Sequence, residues 1–300
     1  MEKMRFEEFT HEIVEKIREY LPVSFENASI ELQTVTKNND IKLTGLTIKS
    51  ADTNLIPTIY LERYFEEYQA GASIEMILLD IADARVRNDV PEGIDIKEIM
   101  NFENVKALII PHLVSEKWNR KCLQTMPHKV IADLAVTYHI LLTDRFEETA
   151  TIAIHDNLMK IWGTDVEALH EVATENMSSL TPSTLESMRS VLAKITDDPD
   201  INDDEIGERL FILSNTYQVY GAAAVLDKNM MSYITDRFGE DFYIIPSSIH
   251  ECLIAPSLDY TDPSELTQMV KNVNKNMLNA NDILSDHVYR YTKEEGLVAA

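Results

Sequence analysis

Apolar residues near the N-terminus follow a helical period and then change to the alternation of a strand. In residues 6–21 they recur at spacings of three and four, which predicts an amphipathic helix that ends at Pro22. In residues 28–49 apolar and polar positions alternate on both sides of the turn-forming run 37–40. This pattern predicts a β-hairpin.

The middle of the chain carries both helical and strand patterns. Pro57 predicts the start of a second helix, Gly71 is its expected C-cap, and residues 74–86 form another helical stripe. The apolar run around Pro111 is harder to assign, because proline argues against a central strand. Residues 129–142 are rich in strand-forming side chains, so a sheet is expected here.

The second half of the chain alternates predicted strands and helices. One of these helices is predicted to start with Thr181 as N-cap and Pro182 at its first position. The patterns together predict an α+β fold, with an antiparallel or mixed sheet covered by helices and a helical and hairpin N-terminal region. The 300 residues permit an N-terminal region at 1–104 and an α+β region at 105–300, or a single domain.

The net charge of the chain limits the kinds of molecule that it is expected to bind. The chain holds 51 acidic and 27 basic residues, a formal net charge of −24, which disfavours direct binding to nucleic acids or anionic membranes. The acids are concentrated in residues 161–208, which carry twelve acids and two bases. An acidic decoy for a nucleic-acid-binding protein is therefore one hypothesis, although a solvated acidic surface explains the same charge.

The sequence predicts no disulfide framework, no calcium loop and no targeting signal. Cys122 and Cys252 are too few for a disulfide framework and form no C-x-x-C pair. A calcium loop beginning at Asp198 fails, because Asp203 and Arg209 occupy positions that require glycine and glutamate. We expect no metal and no cofactor. Without a signal peptide or an 18-residue apolar run, the expected location is the cytoplasm.

The densest polar cluster follows the apolar run 243–246. It consists of Ser247, Ser248, His250 and Glu251, which could hold a ligand or supply nucleophilic or acid–base chemistry. No G-x-S-x-G elbow accompanies it, and neighbours in a strand point to opposite faces. The alternative is a structural turn whose hydroxyls satisfy backbone groups.

Four sequence blocks resemble an uncharacterised bacterial family that carries only a domain-of-unknown-function label, 5688. They read VTKNNDIKLTGLTI, PTIYLERYFEEYQAG, PHKVIADLAVTYHILL and IIPSSIHECLIAP. The second and third blocks also resemble another uncharacterised bacterial family. One departure is Asp40 in the hairpin turn, where the family pattern has glycine. The resemblance implies kinship over nearly the whole chain and no particular activity.

Function is therefore an open choice between classes. Because no chemistry-bearing motif is complete, we expect a non-catalytic partner-binding or regulatory protein with a protein partner. The alternative is a small-ligand-binding protein or hydrolase that uses the Ser247–Glu251 turn. Partner binding predicts an exposed apolar patch, whereas a hydrolase requires His250 to meet a nucleophile or a second acid. The sequence does not indicate the oligomeric state.

Overall fold

The chain is described from a computed structural model that covers residues 3–50, 56–87, 96–142, 150–196, 209–239, 241–257 and 262–300. It divides into two compact units. The first comprises Met1–Lys37 and Ile41–Met100, and the second comprises Asn38–Asp40 and Asn101–Ala300. The predicted α+β class is confirmed, and the strand pairs of the described residues are antiparallel.

The first unit packs helices against a three-stranded sheet of order β1-β2-β3. Its core combines the apolar faces of the helices with one face of β2, and includes Phe9, Ile48 and Ile81. Its elements are α1 Phe6–Lys16, a 3₁₀ turn Ile17–Tyr20, β1 Ser29–Thr36, β2 Lys42–Lys49, β3 Thr58–Tyr60, α2 Leu61–Ala70, α3 Ile74–Arg87 and α4 Ile96–Ile99.

The predicted hairpin is confirmed, and β1 pairs with β2 from Ser29↔Lys49 to Thr36↔Lys42. Asn39 and Asp40 have φ angles of 61° and 53°, the left-handed conformation that a tight hairpin turn needs and that Asn and Asp tolerate. The prediction that Pro57 opens a helix is wrong. Residues 58–60 first form β3, because they pair with β2, and the helix starts at Leu61.

The second unit contains two sheets. One has the order β4-β6-β5 with β7 also on β6, and the other has the order β13-β12-β10-β11-β9-β8. Its elements are α5 Phe102–Val105, β4 Ile109–Ser115, β5 Lys129–Ile131, β6 Leu134–Leu141, β7 Thr151–Ala153, α6 Asp156–Trp162, α7 Val166–Leu180, β8 Ser183–Ser187, α8 Met188–Thr196, β9 Phe211–Asn215, a 3₁₀ helix Gly221–Leu226, α9 Lys228–Phe238, β10 Phe242–Ser248, β11 Glu251–Pro256, α10 Pro263–Asn276, β12 Tyr289–Thr292 and β13 Gly296–Ala299.

Two prolines of this unit clarify the sequence patterns. Pro111 lies in β4, which is the end strand of its sheet in the described pairing, where a missing N–H is tolerated. The predicted helix start at Thr181 and Pro182 is wrong. Ser183–Ser187 forms β8 along the whole of β9, so sheet pairing overrides a local capping signal, and the helix starts at Met188.

Helices cover the sheets of the second unit. α7 packs on β4 and β6, and α10 packs on β10. Leu266 and Val270 of α10 join Tyr243 and Ile245 of β10 in one apolar cluster. No helix within the described ranges is long and apolar enough to cross a membrane.

Candidate functional site

The predicted polar turn connects β10 to β11, and its two serine hydroxyls bond within the turn. The Ser247 hydroxyl donates to the Glu251 carboxylate at 2.9 Å, and the Ser248 hydroxyl accepts from the His250 backbone N–H at 3.0 Å. The strand register shifts between Pro246 and Ser248, which marks a bulge. Both hydroxyls therefore stabilise the turn, as serines commonly do.

The His250 imidazole is engaged on both of its nitrogens by groups outside the turn. Nδ1 accepts a hydrogen bond from the backbone N–H of Tyr220 at 3.2 Å, and Nε2 lies 3.7 Å from a carboxylate oxygen of Asp282. A neutral imidazole that accepts through Nδ1 carries its proton on Nε2. In this arrangement His250 holds two other segments together, and it is not placed as a base for either serine.

The segments next to the turn pack directly against its backbone. The His250 carbonyl accepts a hydrogen bond from the Ser214 hydroxyl at 2.8 Å, and the Ala222 N–H donates to the Ile249 carbonyl at 3.3 Å. A Cβ placed on Gly221 would lie 2.3 Å from the His250 carbonyl oxygen. Glycine is therefore required here by close approach of the backbone.

An aromatic cluster adjoins this turn and was not predicted. The Tyr220 ring lies 4.0 Å from the His112 ring, 5.3 Å from the His139 ring and 6.1 Å from the His250 ring, measured between centroids. Tyr220 has a φ of 53°, a strained conformation for a non-glycine residue. Such strain persists only where the surroundings enforce it, and here three histidine rings and the bond to His250 do so.

His112 and His139 belong to this cluster because they lie on two paired strands. They lie on β4 and β6, where His112 pairs with Thr137, so His139 is its diagonal neighbour on the same face. Their ring nitrogens are 3.3 Å apart, and His139 also contacts the Thr151 hydroxyl at 3.3 Å. Both rings are buried. In the sequence, these histidines are marked only by the alternation that is typical of strands. That alternation does not show that β4 pairs with β6.

A second polar cluster also lies outside the predicted turn. The Asp133 carboxylate accepts a hydrogen bond from the Tyr289 hydroxyl at 2.6 Å and lies 2.6 Å from Nδ1 of His287. The Tyr289 hydroxyl is also 2.7 Å from the Ser285 hydroxyl oxygen. Burial and the bond to Asp133 raise the pKa of Tyr289. This network fixes the turn between β5 and β6 to the start of β12.

The cysteines are not poised as nucleophiles. Burial raises the pKa of the Cys252 thiol to about 12, and burial together with Asp40 raises the pKa of Cys122 to about 11. Within the described part of the chain, no three His, Cys, Asp or Glu side chains are grouped to hold a metal ion.

Apolar side chains are exposed on the outward face of α10 and just after its end. Met269 is 55% exposed and Met277 is 79% exposed. Together with Val273 they border an open groove of about 510 Å³. The other side chains that line this groove are Glu265, Gln268, Asn272 and Asn276. We call these seven residues the α10 groove.

His170 gives a pH dependence that can be measured. Burial, and then Lys129, lower the pKa of His170, whose ring contacts the Tyr138 hydroxyl at 3.1 Å. Because the folded pKa lies below the unfolded value of about 6.5, this contribution to stability is complete above that pH and is lost as the pH falls below it. When the pH is lowered from about 7.5 to 5.5, we expect the free energy of unfolding to fall less in His170→Gln than in the unmodified chain. Urea midpoints at both pH values test this, and equal losses would contradict it.

The fold and these clusters define an α+β protein with two compact units, antiparallel sheets and a polar turn held by distant segments. The chain belongs to the family of unknown function DUF5688, whose model matches residues 6–293. The resemblance drawn from the four sequence blocks is thereby confirmed. No curated protein and no solved structure is detectably similar to the chain.

Proposed function

We propose that this chain is a non-catalytic protein that binds another protein chain through the α10 groove. The observation that carries the proposal is the exposure of Met269 on α10, whose opposite face is buried, and of Met277 immediately after the end of this helix. Exposed apolar side chains grouped beside a groove are typical of interaction sites. Methionine suits such a surface because its flexible side chain adapts to the shape of a partner.

The helix itself is firmly anchored, which supports a binding role for its outward face. Leu266 and Val270 pack into the apolar cluster on β10. Buried Asn274 donates to the Ser285 carbonyl at 3.0 Å and to the Asp286 carboxylate at 2.8 Å. A rigid helix presents its outer side chains with little loss of entropy on binding.

A designed peptide tests the groove directly. We expect a fluorescent amphipathic helix with leucines at spacings of three and four to bind the full chain with a Kd of about 10–100 μM, measured by anisotropy. Met269→Asp combined with Met277→Asp should abolish this binding, because charges replace the apolar contacts. Met76→Asp is the matched control, since Met76 is 66% exposed on α3. Equal loss in the control, or unchanged binding in the double variant, would contradict the proposal.

The hydrolase alternative has its own test at the Ser247–Glu251 turn. Since the serine hydroxyls bond within the turn and His250 bonds to Tyr220, we expect no hydrolysis of p-nitrophenyl acetate that depends on Ser248. Ser248→Ala should leave any background rate unchanged, and His155→Ala provides a matched histidine control for His250→Ala. A loss of about tenfold or more in both Ser248→Ala and His250→Ala would favour the enzyme.

We also propose the cytoplasm of a bacterial cell as the setting. Cys122 and Cys252 are free thiols, which fits a reducing compartment. The acidic net charge of −24 fits a soluble surface.

A further inference from the structure

Strand β1 lies at one end of the three-stranded sheet of the first unit, and among the described residues no strand pairs with its outer side. It has eight residues, from Ser29 to Thr36, of which six are exposed and two are half-buried. The end strands β3, β8 and β13 have only three, five and four residues. β1 therefore offers a longer edge than they do for pairing with another strand.

The register of the hairpin shows which backbone groups of β1 point outward. Lys37 donates its N–H to the Ile41 carbonyl, so the odd-numbered residues of β1 bond to β2. The N–H and C=O groups of the even-numbered residues point away from β2, and no hydrogen bond engages them within the described part of the chain. These residues, which we call the β1 edge, are Ile30, Leu32, Thr34 and Thr36.

β1 lacks the features that usually keep an exposed edge strand from pairing. It contains no proline and no lysine, it pairs with β2 without a register shift, and its single charged residue is Glu31. By contrast, β4 at the end of its own sheet contains Pro111. Leu32 lies on the core-facing side of β1, opposite buried Leu46, yet is 41% exposed. A strand added beside β1 would cover it.

The β1 edge is limited at both ends. Before it, the Ala28 N–H donates to the Phe25 carbonyl, and the Ala28 carbonyl accepts from Arg18 at 2.7 Å. After it, the chain enters the hairpin turn Asn38–Asp40. The outward groups at 30, 32, 34 and 36 are therefore spaced symmetrically about Gln33, which is the property that pairing with an identical strand requires.

A two-fold axis at Gln33 uses the whole edge of both copies. Ile30 then pairs with Thr36 of the partner subunit, and Leu32 pairs with Thr34 of the partner subunit. Every outward group faces an outward group, which gives about eight backbone hydrogen bonds. An axis at Leu32 places Thr36 against the engaged groups of Ala28, and an axis at Thr34 places Ile30 against the turn.

The side chains are compatible in the same register. Gln33 meets Gln33 of the partner subunit on the axis, and two side-chain amides can donate to and accept from each other. Glu31 lies opposite Val35 of the partner subunit, so no two like charges face each other, although each copy carries a net charge of −24. The two copies of Leu32 become diagonal neighbours on the core-facing side, close enough for contact.

We propose that the β1 edge pairs with the β1 edge of a second copy of this chain, in an isologous antiparallel pairing centred on Gln33. The pairing joins the two three-stranded sheets into one. Residues 30–36 span only about 20 Å, so the interface is smaller than a standard one and a Kd of about 10–100 μM is expected. Because each copy uses its edge fully, the association stops at the dimer.

A proline on the edge tests the backbone pairing. Sedimentation velocity of the full chain over about 5–500 μM, in about 0.3 M salt to screen the negative charge, should show a monomer–dimer equilibrium. Thr34→Pro removes an outward N–H and no bond to β2, so the fold should persist and the dimer should be lost. Thr34→Val keeps that N–H and is the matched control, which should dimerise as the original does. Urea midpoints show whether both variants keep the fold.

Charges on the axis test the register and leave the backbone intact. Gln33→Lys and Gln33→Glu should each weaken the dimer about fivefold, because like charges then face each other across the axis. An equimolar mixture of the two variants should form a heterodimer at least as tight as the original dimer, because opposite charges meet. The two variants move the net charge in opposite directions, so a general charge effect would strengthen one dimer and weaken the other.

Several outcomes would overturn the proposal. A chain that stays monomeric at about 500 μM does so, and leaves the β1 edge to a strand of another protein. A dimer that folded Thr34→Pro retains, or that Thr34→Val weakens equally, does so as well, as do Gln33 variants that dimerise normally. Binding of the leucine peptide to the α10 groove is a separate measurement, so either proposal can fail without the other.

Discussion

Gly221→Ala is expected to lower the free energy of unfolding by about 3 kcal/mol or more. An added Cβ would lie 2.2 Å from the Ser214 hydroxyl oxygen and 2.3 Å from the His250 carbonyl oxygen. A side-chain oxygen can rotate away, but a carbonyl in a tight hairpin turn moves only with its backbone. Urea denaturation of the full chain measures the change.

Two further variants separate the causes of that loss. Gly163→Ala introduces a Cβ into open space at a φ of +66°, so it should cost only about 1 kcal/mol, from backbone conformation alone. Ser214→Ala in the Gly221→Ala background should recover a minor part of the stability, because the backbone contact remains. Full recovery would show that the His250 carbonyl does not limit the site.

Arg85→Ala is expected to destabilise the first unit by about 4 kcal/mol. Arg85 is fully buried, its Nε donates to the Ile48 carbonyl at 2.9 Å, and its guanidinium lies 4.7 Å from the centre of the Phe25 ring. Truncation leaves a buried carbonyl without this donor and opens a cavity beside an aromatic ring. Thermal and urea unfolding both measure the effect.

Arg87→Ala is the matched control on the same helix. Arg87 is 61% exposed and its ion pairs with Asp80 and Asp83 span 3.8 and 3.4 Å. Exposed pairs contribute little, so the change should be below about 0.5 kcal/mol. Similar losses in the two variants would mean that the arginine charge matters more than its burial.

Both predictions concern residues whose contacts the sequence does not show. Arg85 lies four residues after Ile81, on the apolar stripe of α3, and Arg87 lies off it, but only the packing against Ile48 and Phe25 shows that the buried arginine has partners there. The close neighbours of Gly221 are Ser214 and His250, which the sequence does not place beside it. The severity of each substitution is decided by segments distant in sequence.

The candidate site was predictable in part. A polar turn at Ser247–Glu251 was expected from its composition, and its internal bonds depend on neighbours alone. The partners of His250 lie 30 or more residues away, at Tyr220 and Asp282. No periodic pattern in a sequence indicates contacts between residues so far apart. The role of His250 in holding these segments was therefore not predicted.

The sequence by itself determined the α+β class, the first hairpin, the C-cap of α2 at Gly71 and the family. These features follow from the period of burial and from local turn and capping chemistry, which act over a few residues. Tertiary structure decided that residues 58–60 and 183–187 are strands, that three histidine rings surround Tyr220, and that Met269 on α10 is exposed. The physical reason is that strand pairing and helix packing bring together residues far apart in the chain, and their energies exceed local propensities.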